Sequence, residues 1–227
     1  MEYAIAIFVI LLIIYYYYIQ TPDYKGKSLE YGIDKKFRGY SKNLQGYAFK
    51  DVMIKDDVSS SQIDNILITP KAIYVIEAKN YNGHIFGSYR NENWTVTVKH
   101  LDKKRSKSGK VYTKTHISKH KFYNPIKQNI THIRKLKSLL SLNDSQKILN
   151  VVVFGSNSYL SDVEKNEDYV VLNYRYLMRF IKETESKLSE VITPNDMTRF
   201  SEIIQHANIL DKTERKMHIQ KINQMYK

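Results

Sequence analysis

Three residues that stand close together in the chain could act jointly: Asp64, Glu77 and Lys79. Two carboxylates offer oxygen ligands to a hard divalent cation. Mg2+ or Mn2+ is often held by one or two carboxylates and keeps waters for its substrate. A metal-bound water is acidified into a nucleophile, and the metal also clamps phosphate oxygens. An ammonium beside it can steady the attacking water or the negative charge that develops. The combination suits hydrolysis of a phosphodiester. The same residues also read as an exposed ion pair on a solvated strand face, an arrangement that is common and worth little energy.

The elements that must bring these residues together are two β-rich runs meeting at Thr69-Pro70-Lys71-Ala72. Proline has its φ already set for the second position of a β-turn. Ile63 to Ile68 and Ile73 to Ile76 are rich in β-branched residues, as strands are. If Thr69 faces Ala72, Asp64 stands opposite Glu77, with Cβ atoms roughly 4.5–5.5 Å apart. Lys79 lies two residues further on and shares that face, while Ile76 and Ala78 point into a core. A one-residue slip would part the carboxylates. Pro-Lys is not a pair that two-residue hairpins favour, so a longer loop and another register stay open.

The flanks add to the pattern. Gln62-Ile63-Asp64 is followed by Ile76-Glu77-Ala78-Lys79-Asn80-Tyr81, then Gly83, Trp94 and Asn124-Pro125-Ile126-Lys127-Gln128. In this order the motifs resemble the nuclease-related domain, NERD, of the wider PD-(D/E)xK nuclease-like superfamily. The resemblance spans about Gly26 to Leu140. It implies an α/β fold, an α+β arrangement around a mixed sheet, with a restriction-endonuclease-like αβββαβ core. It also implies metal-dependent nuclease chemistry, with Mg2+ or Mn2+ as cofactor. Carried over residue by residue, Asp64 and Glu77 would be the metal carboxylates and Lys79 the catalytic lysine. Glu30 would be the first-helix acid and a further metal ligand, and Gln128 the polar residue of the later helix. Ile63 stands where the superfamily name has proline, and Leu29-Glu30 where Gly-Glu is usual.

Composition bounds the partners. A chain of 227 residues with 42% hydrophobic and 26% charged residues is a folded domain plus an attachment. It has no cysteine, which excludes disulfides, cysteine-ligated zinc and cysteine nucleophiles. A net charge of +13 points to an anionic partner, nucleic acid or an anionic membrane face. DNA is the expected nucleic acid. There is no Gly-rich phosphate loop and no Gly-x-Ser-x-Gly, so no nucleotide-hydrolysing motor is encoded in this chain. Two other classes stay open: a catalytically silent nucleic-acid-binding module, and an interaction protein for lipid or an acidic partner.

Residues 3–19 carry no charge and end in Tyr15 to Tyr18. This is the short end of a membrane-spanning length, with an aromatic belt at one interface. No basic leader and no small-x-small site mark a cleaved signal peptide. Glu2 precedes the run and Lys25 and Lys27 follow it, which places the larger part of the chain in the cytoplasm. The expected division is 1–22 anchor and linker, 23–210 nuclease-like domain, and 211–227 basic tail.

Thr21 to Gly26 reads as linker, and Ser28 as the cap of a helix from Leu29. Leu29, Ile33, Phe37 and Tyr40 form its apolar face, with Glu30 beside it. Gly46 to Ile54 reads as a strand, and Ile85 to Ser88 with Trp94 to Val98 as a hairpin. Lys99 to Lys121 reads as an extended basic loop with its tip at residues 106–109. Lys103, Lys104, Arg105, Lys107 and Lys110 are its expected nucleic-acid contacts, sequence-independent and salt-sensitive. Lipid headgroups compete for the same charges. His116 and His120 lack the glutamate of a His-Glu-x-x-His zinc motif. Asn124-Pro125 starts a helix that carries Gln128 one turn in. Ile148 to Phe154 reads as a strand buried on both faces. A strand at 169–172 and two amphipathic helices close the chain.

Overall fold

The computed structural model describes residues 2–19, 21–56, 59–106, 110–143, 145–164 and 166–225. In chain order the first elements are α1 (Glu2–Ile19), α2 (Pro22–Asn43), β1 (Tyr47–Lys55), β2 (Ser60–Ile68) and β3 (Ile73–Lys79). Next come β4 (Gly83–Gly87), β5 (Asn93–Arg105), β6 (Val111–Tyr123), α3 (Pro125–Leu140) and β7 (Ile148–Phe154). The last are β8 (Ser158–Val163), β9 (Tyr169–Asn173), α4 (Leu177–Glu185), α5 (Pro194–Ala207) and α6 (Lys212–Met225).

The β2–β3 hairpin is the centre of a five-stranded mixed sheet of order β1-β2-β3-β7-β9. β1, β2 and β3 run antiparallel, whereas β7 and β9 continue parallel to β3. Ile66, Ile68, Ile73 and Val75 bury one face of the sheet against α3 and α5, through Leu136, Leu140, Phe200 and Ile204. Leu67, Tyr74, Ile76 and Val151 bury the other against Leu29, Ile33 and Phe37 of α2 and Leu177 and Ile181 of α4. With both faces covered, the central strands read as near-continuous apolar runs. The result is a mixed α+β fold with helices on both sides of the sheet.

A second sheet of order β6-β5-β4-β8 packs against the first through Trp94, Val96, Ile126, Val152 and Phe154. The Trp94 and Phe154 rings stack 6.2 Å apart. A Cβ on Gly87 would come within 2.2 Å of the Trp94 ring, so only glycine admits that packing.

Two expectations change. The helix that carries Glu30 starts at Pro22 and not at Leu29, so Thr21 to Gly26 is no linker. Thr21 supplies the cap, its hydroxyl accepting from the Tyr24 amide at 3.3 Å, and proline suits the first turn. Gly26, Gly32 and Gly39 do not end the helix, because burial of Leu29, Ile33 and Phe37 outweighs their poor propensity. The basic stretch is not a loop. β5 and β6 pair rung by rung from Asn93↔Tyr123 to Arg105↔Val111. Threonine, valine and isoleucine alternate with the charges there, and solvent on both faces of a ribbon leaves lysine no reason to avoid it. The tip residue Lys107 lies outside the described residues. Most of the basic tail forms α6.

Among the described residues no single helix is long and apolar enough to cross a membrane. Residues 3–19 and 24–43 meet such a test only as a pair bent by 74°. A single spanning helix at residues 3–19 therefore falls short on length.

Candidate active site

The expected turn forms: the Thr69 amide donates to the Ala72 carbonyl at 2.9 Å. The ladder runs Ile68↔Ile73 to Asn65↔Ile76, the register that aims Asp64 at Glu77. It stops one rung short of that pair. There the Asp64 carboxylate takes the place of backbone and accepts from the Ala78 amide at 2.7 Å.

A kink on the other edge of β2 helps to free Asp64. In a regular strand Ile63 and Ile66 would face opposite sides. Both pack in the same core cluster, so alternation breaks between them. Opposite the break, Asp51 of β1 has φ of 55°, a left-handed backbone rare for a non-glycine residue in a strand.

Glu77 is the most enclosed member of the site, its side chain 1% exposed. Oε1 lies 2.7 Å from Lys79 Nζ, and Lys79 Nζ donates to Gln128 Oε1 at 3.1 Å. Oε2 lies 3.2 Å from His132 Nε2, close enough for charge pairing yet without hydrogen-bond alignment. His132 Nδ1 stands 2.9 Å from Ser61 Oγ. Ser61, His132, Glu77, Lys79 and Gln128 thus form one continuous chain of polar contacts drawn from β2, β3 and α3.

α3 is fixed in place by two asparagines. Asn124 accepts from the Ile126 amide at 3.0 Å, and its Nδ2 donates to the carbonyls of Ser88, Tyr89 and Asn91. Asn129 donates to the Val75 carbonyl and to Asn150 Oδ1, each at 2.8 Å. Gln128 and His132 lie one turn apart, so a helix held this way presents both to the β3 carboxylate.

The acids of the site divide by their surroundings. Burial pushes the Asp64 carboxyl well above its ordinary pKa, and the charges of Glu77 and Glu30 add to the push. Glu30 is raised by burial, then by Asp51 and Glu77. Glu77 goes the other way: burial works against its charge, but the Lys79 ammonium and His132 outweigh it and hold the pKa down. Lys79 loses to burial and gains more from Glu77 and Asp64, so its pKa is raised and it stays an ammonium at neutral pH. One carboxylate is compensated and two are not.

Asp64, Glu77, Lys79 and Gln128 are therefore gathered as their spacing suggests. Glu30 comes from α2 on the far side of the sheet and is near enough for its charge to act on Asp64. Among the described residues no three His, Asp or Glu side chains form a ready metal-holding group. Lys103, Lys104, Arg105 and Lys110 are exposed on or beside the β5–β6 ribbon, apart from this contact chain. Ser61 and His132 lie outside the motifs that the sequence displays. The signal for His132 was its place four residues after Gln128 on the same helix face.

A mixed sheet enclosed by helices, with an acid, a buried glutamate and a lysine where two central strands part, is consistent with a nuclease-like α+β core. The chain belongs to the family described as nuclease-related domain, NERD, whose family model matches residues 25–155. It is also 25% identical over 224 residues to an uncharacterized protein of Bacillus anthracis. That match covers 98% of this chain and 95% of the other. No solved structure matches.

Proposed function

We propose that this protein is a membrane-attached, divalent-metal-dependent nuclease that hydrolyses nucleic-acid phosphodiesters, DNA foremost. The observation that carries the reading is the convergence of Asp64, Glu77, Lys79 and Gln128 from three elements with acidic charge left uncompensated. Binding nucleic acid alone does not require burying two carboxylates at such cost.

Asp64 and Glu77 are the donors that would hold Mg2+ or Mn2+; the chemistry of carboxylate oxygens fits a hard cation. When bound, the metal supplies an acidified water and neutralises phosphate charge. Asp64, which accepts from the Ala78 amide, has its carboxyl pushed well above the ordinary pKa by burial and by Glu77 and Glu30, and a bound cation would favour its charged form. Lys79, charged at neutral pH, holds Glu77 in place and stabilises negative charge on the reacting phosphate. Gln128 accepts from Lys79 and fixes its aim, while His132 restrains the second oxygen of Glu77. Glu30 adds negative charge from the helix side.

Lys104 and Lys110 are the ribbon cations we assign to phosphate contact. Residues 3–19, uncharged and with exposed aliphatic side chains along α1, would attach the chain to a membrane with the larger domain in the cytoplasm.

The test is cleavage of labelled single- and double-stranded DNA and RNA by the full chain with Mg2+, Mn2+ or EDTA, beside Asp64→Ala and Lys79→Ala. Metal-dependent cutting lost in both variants is the expected result. Cutting that persists in EDTA, or in folded Lys79→Ala, sinks the assignment.

A second reading has its own observation. Glu77 is already engaged by Lys79 and His132, and no ready three-ligand group is formed among the described residues. That favours a catalytically silent nucleic-acid-binding module of the same fold. It predicts salt-sensitive binding that survives Glu77→Ala, with no cleavage by the wild type.

A further inference from the structure

The β5–β6 arm has two unlike faces. Directly opposed residues share a face, as do alternate residues along a strand. The register therefore sets Lys99, Lys103, Arg105, Lys119 and Lys121 on one side, with no acid among them. Leu101, Val111 and Ile117 stand on that same side, 62%, 56% and 63% exposed, so three aliphatic side chains are left in water between cations. The opposite side carries Lys104 and Lys114 together with an acid and no exposed aliphatic. His116 Nδ1 lies 3.4 Å from Asp102 Oδ2, the His100 and His116 rings stack at 4.6 Å, and Asp102 faces Lys114. From Lys99 to Arg105 the cationic face runs about 20 Å beyond the packed base of the ribbon.

Charge decides what can cover this face. A second copy would set five cations against five. A nucleic acid offers phosphates to the lysines but little to three aliphatic side chains. An anionic bilayer offers both: headgroups for the cations and the outer acyl layer for the aliphatics. The exposed aliphatics of the outer arm lie on this side only, with five cations beside them, whereas Lys104 and Lys114 share the other side with Asp102; an apolar stripe on one face suits a flat partner better than a groove that would surround the ribbon.

We propose that the Lys99–Lys103–Arg105–Lys119–Lys121 face of the arm lies on an anionic lipid bilayer, with Leu101, Val111 and Ile117 entering the headgroup layer. This goes beyond the nuclease reading and does not depend on it. Lys104 and Lys110 stay available to nucleic acid.

The chain has no cysteine, so single cysteines report without interference. Full-length Thr115→Cys (the lipid-side face) and Tyr112→Cys (the other face) would carry a fluorophore in nanodiscs of phosphatidylcholine, alone or with phosphatidylserine. On phosphatidylserine discs the Thr115→Cys label is shielded from an aqueous quencher and the Tyr112→Cys label is not. Neither is shielded on neutral discs. Adding Lys103→Gln to Thr115→Cys weakens the shielded state about fivefold. Equal quenching in both lipids, equal shielding of both faces, or failure to associate with phosphatidylserine discs overturns the proposal. So does loss of shielding on adding duplex DNA, which would make the face a nucleic-acid surface.

Discussion

The β2–β3 and β5–β6 hairpins are both rich in β-branched residues, and both carry Lys and Asp or Glu, yet burial gives those charges opposite meanings. At the end of β2–β3 a glutamate 1% exposed is met by a lysine 22% exposed, with a histidine on its other oxygen. Removing one partner there strands a buried charge. Along the outer half of β5–β6 every cation is exposed and no core depends on it. Such charges contribute little to folding, and their value lies in what they attract. Charge at the centre of the molecule is a structural commitment, whereas charge on the arm is free to serve a partner.

The largest effect that would break this contrast is at Lys79. Lys79→Ala leaves Glu77 buried without its ammonium and costs about 3–5 kcal/mol of stability at neutral pH. Urea denaturation reads it directly. A loss under about 1 kcal/mol would mean that the site is wetter than it looks and that the two hairpins do not differ in kind.

Asn124 sharpens the comparison because it joins the two regions. It caps α3, which carries Gln128 and His132, and holds three carbonyls of the turn at the base of the arm. Asn124→Ala costs about 2 kcal/mol from the lost cap and the freed carbonyls. The same variant loosens the Gln128 contact with Lys79, so any cleavage falls more than stability alone accounts for. Asn124→Asp keeps the cap but not the three donated bonds and separates the two contributions.

Asp64 gives an effect of opposite sign. Its folded pKa is raised, so the fold favours the neutral carboxyl, and that contribution is present in acid and lost as pH rises through the folded pKa. Glu77, held down, contributes above the ordinary carboxylate range and loses its contribution as pH falls below it. Asp64→Asn therefore gains about 1 kcal/mol at neutral pH, and its stability falls less than that of the wild type as pH rises from the carboxylate range toward neutrality. Saturating Mg2+ reverses the ranking if Asp64 is a ligand: at a hundredfold excess over Kd the wild type gains about 2.7 kcal/mol and the variant much less. An unchanged melting temperature of the wild type in Mg2+ removes the metal from the proposal.

How far these features could be read in advance follows the range of the interactions that make them. The Thr69–Ala72 turn, the Leu29, Ile33 and Phe37 stripe and the Asn124 cap are local, and residue types declare them. Glu77, Lys79 and Asp64 were legible because a single tight turn sets their register. Ser61 and His132 meet across 71 positions, and the kink at Asp51 depends on packing around it, so neither has a local signature. The start of α2 was misplaced because its glycines hide a helix that tertiary burial sustains. The arm reads as a loop from sequence because its charge density masks an alternation of threonine, valine and isoleucine.

The smallest effect tests the arm. Lys103 is exposed, faces Thr113 across the ribbon and has no buried partner to strand. Lys103→Ala therefore changes stability by less than about 0.5 kcal/mol. The lysine contributes to association only, so the variant melts like the wild type while its binding to phosphatidylserine vesicles weakens. That dissociation between folding and binding is what the contrast of the hairpins demands. A Lys103→Ala protein that unfolds early would show the outer ribbon to be part of the folded core, and the division between structural and available charge would have to be redrawn nearer the tip.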